Sequence, residues 1–196
     1  MDCRGQAVQK IVSVISGVSL LAALAAFEPA IAQSRYNFSA AIPDRSAYSK
    51  SYAGKQVIAY DGAHKPGTIV VRTGERRLYY ILPDGRALAY GIGVGREGFT
   101  WKGTHRVTRK AEWPGWTPPP AMRKRQPGLP VHMPGGADNP LGARALYIGN
   151  TMYRIHGTSQ PWTIGQAVSS GCIRMLNEEV IDLYSRVEVG AKVVVE

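Results

Sequence analysis

The stretch YRIHGTSQPWTIGQAVSSGCIRM, residues 153–175, holds a histidine and a cysteine in a chain with only 4 His and 2 Cys. Proline and glycine punctuate it too often for a helix, so it reads as a strand ending at His156, a loop through Pro161 and a turn delivering Cys172. Sixteen positions separate His156 from Cys172, so the two are not neighbours on one element and only a tertiary arrangement brings them together. A thiol with the ordinary pKa of about 8.5 is only a few per cent thiolate at neutral pH, so a nucleophilic cysteine needs a base or cation beside it. Cys172 is therefore the candidate nucleophile and His156 the candidate base. The competing reading makes Cys172 a small buried apolar residue.

On either side the pattern is short, β-rich and turn-punctuated: TIVVRT (68–73), RRLYYIL (76–82), ALAYGIGVG (87–95), THRVTRK (104–110), RALYIG (144–149), TMYRIHG (151–157) and a closing KVVVE (192–196). Pro83-Asp84-Gly85 reads as a turn and Gly149-Asn150 as the bend of a hairpin. One helix is expected, capped by Asn177, with Glu178 and Glu179 in its first turn and an apolar stripe of Val180, Ile181, Leu183, Tyr184 and Val187. Gly190 ends it or the turn after it. The prolines of WPGWTPPPAMRKRQPGLP (113–130) argue against regular structure and for a long ordered loop. Its Trp113 and Trp116 favour a functional flap over a surface excursion. The fold expected is mainly β, a mixed sheet of sandwich or barrel-like form with one principal helix after Cys172.

Arg4 and Lys10, the apolar run Ile11–Phe27 and Ala30-Ile31-Ala32 read as an export signal over 1–32, with an uncleaved anchor as the other possibility. Residues 33–66 read as a linker or N-terminal arm, and 67–196 as the folded domain. Removing 1–32 also removes Cys3, leaving one thiol that cannot form an internal bridge in an oxidising compartment. The formal charge of +10 survives that removal and points to an anionic partner in the cell envelope. Nucleic acid is excluded by export and by the lack of stacking or helical recognition signatures.

The motifs His-Gly-Thr at 156–158 and Ser-x-Gly-Cys-x-Arg at 169–174 resemble those of the L,D-transpeptidase catalytic domain, and the likeness extends over about Val70 to Glu196. It implies Cys172 as nucleophile, His156 as base, and Gly171 as the turn glycine that aims backbone N–H groups at an oxyanion. It also implies substrate contacts from Arg174, Ser169, Ser170, Gly157 and Thr158. Gly157 is expected to keep space beside the imidazole open, and a backbone carbonyl to orient His156 in place of an acid. Arg174 has two tasks open to it: holding a stem-peptide carboxylate, or bonding the loop that shapes the site. Ser170 stands where the family often has a histidine, which leaves the Cys172 and His156 roles intact.

The resemblance further implies attack on tetrapeptide stems of peptidoglycan in the periplasm, through a thioester and without metal or organic cofactor. A stem amine or a protein amine, such as that of an outer-membrane protein, is the acceptor; no oligomer is implied. A carboxypeptidase or endopeptidase on the same stems and a non-catalytic wall-binding module remain alternatives. Gly93-Val94-Gly95-Arg96-Glu97-Gly98 has dinucleotide-type spacing, but turn and strand follow it where a helix is required. His64, His105 and His132 are too scattered for a metal site.

Overall fold

Two β-rich runs that read as nearly continuous apolar stretches turn out to be buried on both faces, which explains why they do not alternate with polar residues. In the computed structural model, which describes residues 54–196, these are β2 (Ile69–Arg72) and β3 (Arg77–Leu82), paired antiparallel with each other, and β3 pairs in turn with β4 (Arg86–Gly91). Ile69, Val71, Leu78, Leu88 and Tyr90 point into the main core, while Val70, Tyr79, Ile81, Ala87 and Ala89 pack on the opposite face under Tyr60. This is the two-residue period of a strand written twice. Asp84 and Gly85 both adopt positive φ in the β3–β4 bend, 62° and 65°, a conformation that asparagine-like residues and glycine reach at least cost.

The remaining strands are β1 (Gln56–Ala59), β5 (Val94–Gly95), β6 (Gly103–Glu112), β7 (Arg144–Ile148), β8 (Arg154–His156), β9 (Ala167–Ser169), β10 (Ile173–Arg174) and β11 (Lys192–Val195). Nine of the eleven strands among the described residues form one mixed sheet in the order β1-β4-β3-β2-β11-β6-β7-β8-β10, and β5 pairs parallel with β9. The β7–β8 hairpin at Gly149-Asn150 is present. Past the end of β4, Gly93 exchanges two backbone hydrogen bonds of 2.9 Å with Arg174 of β10. The ladder thereby returns to the chain that left β4, giving the barrel-like closure expected.

The principal helix, α2 (Asn177–Arg186), follows β10 directly and buries Val180 and Leu183 in the main core beside Ile155, Ile173 and Met175. The mainly β fold with one principal helix after Cys172 is therefore as expected. Two local expectations are corrected. Asn177 does not cap that helix: Leu176 occupies the cap position without a side-chain bond, because the Asn177 amide is engaged elsewhere. The proline-rich segment does contain a helix, the six-residue α1 (Pro120–Arg125). Proline suits the first helical position, where its missing N–H has no intrahelical partner anyway.

The export signal expected over 1–32 lies outside the described residues, as does the arm up to residue 53. Within 33–66, Gln56–Ala59 is β1, registered against Arg86–Ala89 of β4.

A Cβ on Gly93 would sit 2.8 Å from the Thr163 carbonyl oxygen and 3.4 Å from Arg174 Cβ. Gly93→Ala is expected to cost about 1–3 kcal/mol through overpacking at this closure, read as a lowered urea midpoint at unchanged m-value.

Candidate active site

β8 and β10 run parallel with Ile155 opposite Ile173 and His156 opposite Arg174. Cys172 immediately precedes β10, and Arg154 and Arg174 both act on its thiol. Side chains two apart on a strand share a face, so Arg154 and His156 lie on one face of β8, with Arg174 beside His156 on the adjacent strand. A strand, a loop and a parallel return thus set β8, which ends at His156, beside β10, which begins just after Cys172.

His156 is buried, 4% exposed, and its Nδ1 lies 2.6 Å from the Gly157 carbonyl oxygen. A carbonyl only accepts, so this contact favours a proton on Nδ1, which leaves Nε2 as the more basic nitrogen; the Leu141 backbone also bonds to the ring. Burial first, and then the positive charges of Arg174 and Arg154, lower the imidazole to about 3, so it is neutral at neutral pH. Burial also pushes the Cys172 thiol up, against the pull of the Arg154 backbone and guanidinium and of Arg174. The resting pair is therefore an uncharged thiol and an uncharged imidazole. Cys172 is free and half-buried, and its Sγ donates weakly to the Met152 carbonyl at 3.9 Å.

The turn before Cys172 is built by Ser169 and Gly171. Ser169 Oγ donates to the Cys172 carbonyl at 2.6 Å and accepts the Gly171 N–H at 3.1 Å. The buried Ser169 hydroxyl is thus bound within the turn, and the Gly171 N–H is bound to it, so of the two backbone donors expected to face an oxyanion only that of Cys172 is left. Gly171 has φ 108°, and a Cβ there would strike the Tyr153 ring, which explains the requirement for glycine. Trp101 Nε1 donates to the Gly171 carbonyl at 2.8 Å, and its indole stacks on Tyr153 with centroids 4.6 Å apart and planes 6° apart. Ser170, at the position where the related motif often has histidine, accepts from Arg96 Nη1 at 3.1 Å.

Gly157 does not leave open space beside the imidazole: a Cβ on it would meet Asn177 Oδ1, Ala143 N and Val180 Cγ1. Thr158 is buried, with its Oγ1 accepting the Gln160 N–H at 3.0 Å and its backbone bonded to the Asn177 amide. Arg174 makes a long 3.4 Å hydrogen bond from Nη1 to Thr163 Oγ1, the loop-bonding task, while its buried Nε has no partner.

Three residues escaped the sequence reading. Arg154 shares the strand face of His156, a placement that the two-residue alternation before His156 already signals. Trp101 reaches the site from a distant segment and carries no local signal, while Asn177, close after Cys172, reads locally as a helix cap. The ion pairs among the described residues involve neither Arg154 nor Arg174, so two guanidiniums without carboxylate partners flank the thiol and imidazole. Among the described residues no group of three His, Cys, Asp or Glu converges as metal ligands do.

Comparison with known proteins identifies the family. Residues 66–195 match the YkuD family model, an L,D-transpeptidase catalytic domain. The probable L,D-transpeptidase ErfK/SrfK of Escherichia coli K12 is 43% identical over 148 residues, covering 71% of this chain and 46% of that protein. The chain spans about half the length of the curated relatives first matched. A solved Brucella melitensis chain is 43% identical over 76% of this chain and 98% of its own, with TM-score 0.51. That chain is named a probable carnitine operon oxidoreductase; the name indicates a different chemistry, and the match of a catalytic-domain model to 66–195 decides the family. The catalytic domain of an Enterococcus faecium L,D-transpeptidase acylated by ertapenem shares the fold, with TM-score 0.52 at 23% identity over 69% of this chain and all of that one.

Two outcomes follow from the electrostatics. The folded His156 is depressed from 6.5 to about 3, so between those values the unfolded chain binds the extra proton and stability falls as pH drops. Asp182 is also held low, by Arg186, Tyr90 and Lys55 against its burial, but its loss begins only below about 4. His156→Gln is therefore expected to flatten the fall in urea midpoint between pH 6.5 and about 4. Arg154→Met removes a cation that opposes the upward shift of the thiol, and the pH profile of Cys172 alkylation by iodoacetamide is expected to move to higher pH.

Proposed function

Because the chain belongs to the L,D-transpeptidase catalytic domain family, we propose that it is a cysteine acyltransferase acting on tetrapeptide stems of peptidoglycan in the periplasm, with Cys172 as nucleophile and His156 as base. The observation that supports this reading is the parallel pairing of β8 with β10, which sets His156 beside Arg174 with Cys172 just before β10, together with the Gly157 carbonyl at His156 Nδ1.

The uncharged resting pair suits the first step. His156 Nε2 takes the thiol proton as sulfur attacks the carbonyl at the L-centre of the stem's third residue, and the carbonyl oxygen becomes an oxyanion near the Cys172 N–H. Collapse breaks the peptide C–N bond, the imidazolium proton goes to the departing amine, and terminal D-alanine leaves with a thioester behind it. An acceptor amine then attacks the thioester, gives its proton to His156 and expels the Cys172 sulfur, which is reprotonated. Charge separation arises only as the reaction proceeds, and Arg154 and Arg174 stabilise the sulfur anion on the way in and out.

The acceptor amine belongs to a second stem, giving a cross-link, or to a protein such as one of the outer membrane, giving attachment. The two unpaired guanidiniums and the net charge of +10 favour a donor rich in carboxylates, as wall stems are.

Incubating the purified protein with disaccharide-tetrapeptides and weighing the products tests this reading. Cross-linked dimers that disappear in Cys172→Ala, and fall by roughly 10²–10⁴-fold in His156→Ala, are the expected result. Tripeptides alone would make water the acceptor and the protein a carboxypeptidase, and no product from any stem would leave a wall-binding module.

A further inference from the structure

One peptide group joins His156 to Asn177. His156 Nδ1 is 2.6 Å from the Gly157 carbonyl oxygen, and the N–H of that same peptide unit, contributed by Thr158, donates to Asn177 Oδ1 at 3.2 Å. Oδ1 also accepts the Ala143 N–H at 3.0 Å, and Asn177 Nδ2 donates to the Thr158 carbonyl at 3.1 Å. Three of the four hydrogen-bonding positions of the amide are thus occupied, two of them by Thr158 on the segment that carries the imidazole's partner. Gly142 and Gly157 close around the amide: a Cβ at either would strike Asn177 Oδ1. The backbone of Asn177 is held by α2, of which it is the first residue, so its side chain is aimed from a rigid element.

We propose that Asn177 is a positioning residue for His156, acting through the Gly157–Thr158 peptide, whose carbonyl stands where a Ser-His-Asp triad has its carboxylate. This rests on His156 being the base. Donation of the Thr158 N–H to Oδ1 polarises the peptide and makes the Gly157 carbonyl a stronger acceptor. That carbonyl fixes the Nδ1–H tautomer, turns Nε2 toward the thiol face and stabilises the imidazolium when it forms. An amide does this without adding charge. A carboxylate at the same point would favour the protonated ring and leave less base at rest, so asparagine matches an imidazole kept neutral beside two guanidiniums.

The test uses the whole protein, with ertapenem as the acylating probe of Cys172, followed by mass spectrometry across pH, and nitrogen-15 spectra of the histidine rings. Asn177→Ala is expected to lower the acylation rate by roughly 10- to 100-fold, the usual effect of losing an outer partner of a working side chain. The His156 signals should pass from a single Nδ1–H tautomer to a mixture. Asn177→Asp keeps the two acceptor bonds and brings a negative charge, so its acid limb of acylation is expected at higher pH than in the unaltered protein; this variant decides the matter if Asn177→Ala does not fold. Unchanged tautomer and pH profile in the folded variants, whatever the rate, would overturn the proposal and leave Asn177 as ordinary scaffolding. His156→Ala separates the two readings: if it acylates as fast as the unaltered protein, the base assignment itself fails, whereas a large loss there with indifferent Asn177 variants removes only the relay.

Discussion

The parallel pairing of β8 with β10 is the constraint from which the rest of the site follows. Two-residue ladders contribute little by themselves, and parallel pairing needs a crossover instead of a tight turn. Here it is held from both sides: β7 pairs with β8 across the Gly149-Asn150 bend, and Gly93 binds the outer edge of β10 through two 2.9 Å hydrogen bonds. Ile155 and Ile173, paired in the ladder, are both buried in the main core with Met175 and α2. Their burial fixes the register, and in a strand register also decides the face. A slip of one residue would turn Cys172 into the core and bring Ile173 out.

Burial of this kind sets the electrostatics as well. A site walled by core residues disfavours charge on either reacting group, and the imidazole and thiol respond in opposite directions, one lowered and the other raised. An acid beside His156 would compensate for a charged ring, but a carbonyl stands there instead. The positive charges are supplied separately by Arg154 and Arg174. The arrangement keeps the resting pair uncharged and stabilises negative charge only where sulfur or substrate develops it.

The nucleophile's turn shows a comparable division of labour. Ser169 closes the turn from within, Gly171 supplies the positive φ, and the Trp101–Tyr153 stack presses on the same glycine while Trp101 holds its carbonyl. Tyr153 immediately precedes the strand that carries His156, so one aromatic plate joins the entry to that strand and the nucleophile-bearing turn. Rigid aromatic packing braces the turn that leads into so short a strand as β10.

What the sequence by itself determined is local and periodic. The β-rich runs, the Pro83-Asp84-Gly85 and Gly149-Asn150 bends, the helix after Cys172 and the motifs around His156 and Cys172 all lie in contiguous residues, where propensity, turn chemistry and a two-residue period suffice. What only the tertiary structure decided depends on groups that meet from afar. Asn177 has the composition of a cap, yet Ala143 and Thr158 offer its amide three bonds, and those outweigh a cap bond. Ser169 and Thr158 look like substrate contacts until their burial and backbone partners are known, and Pro120 looks like a helix breaker until its position at the first turn is seen. A side chain's task is set by which polar groups remain unpaired within its reach, and that follows from packing, not from neighbours in sequence.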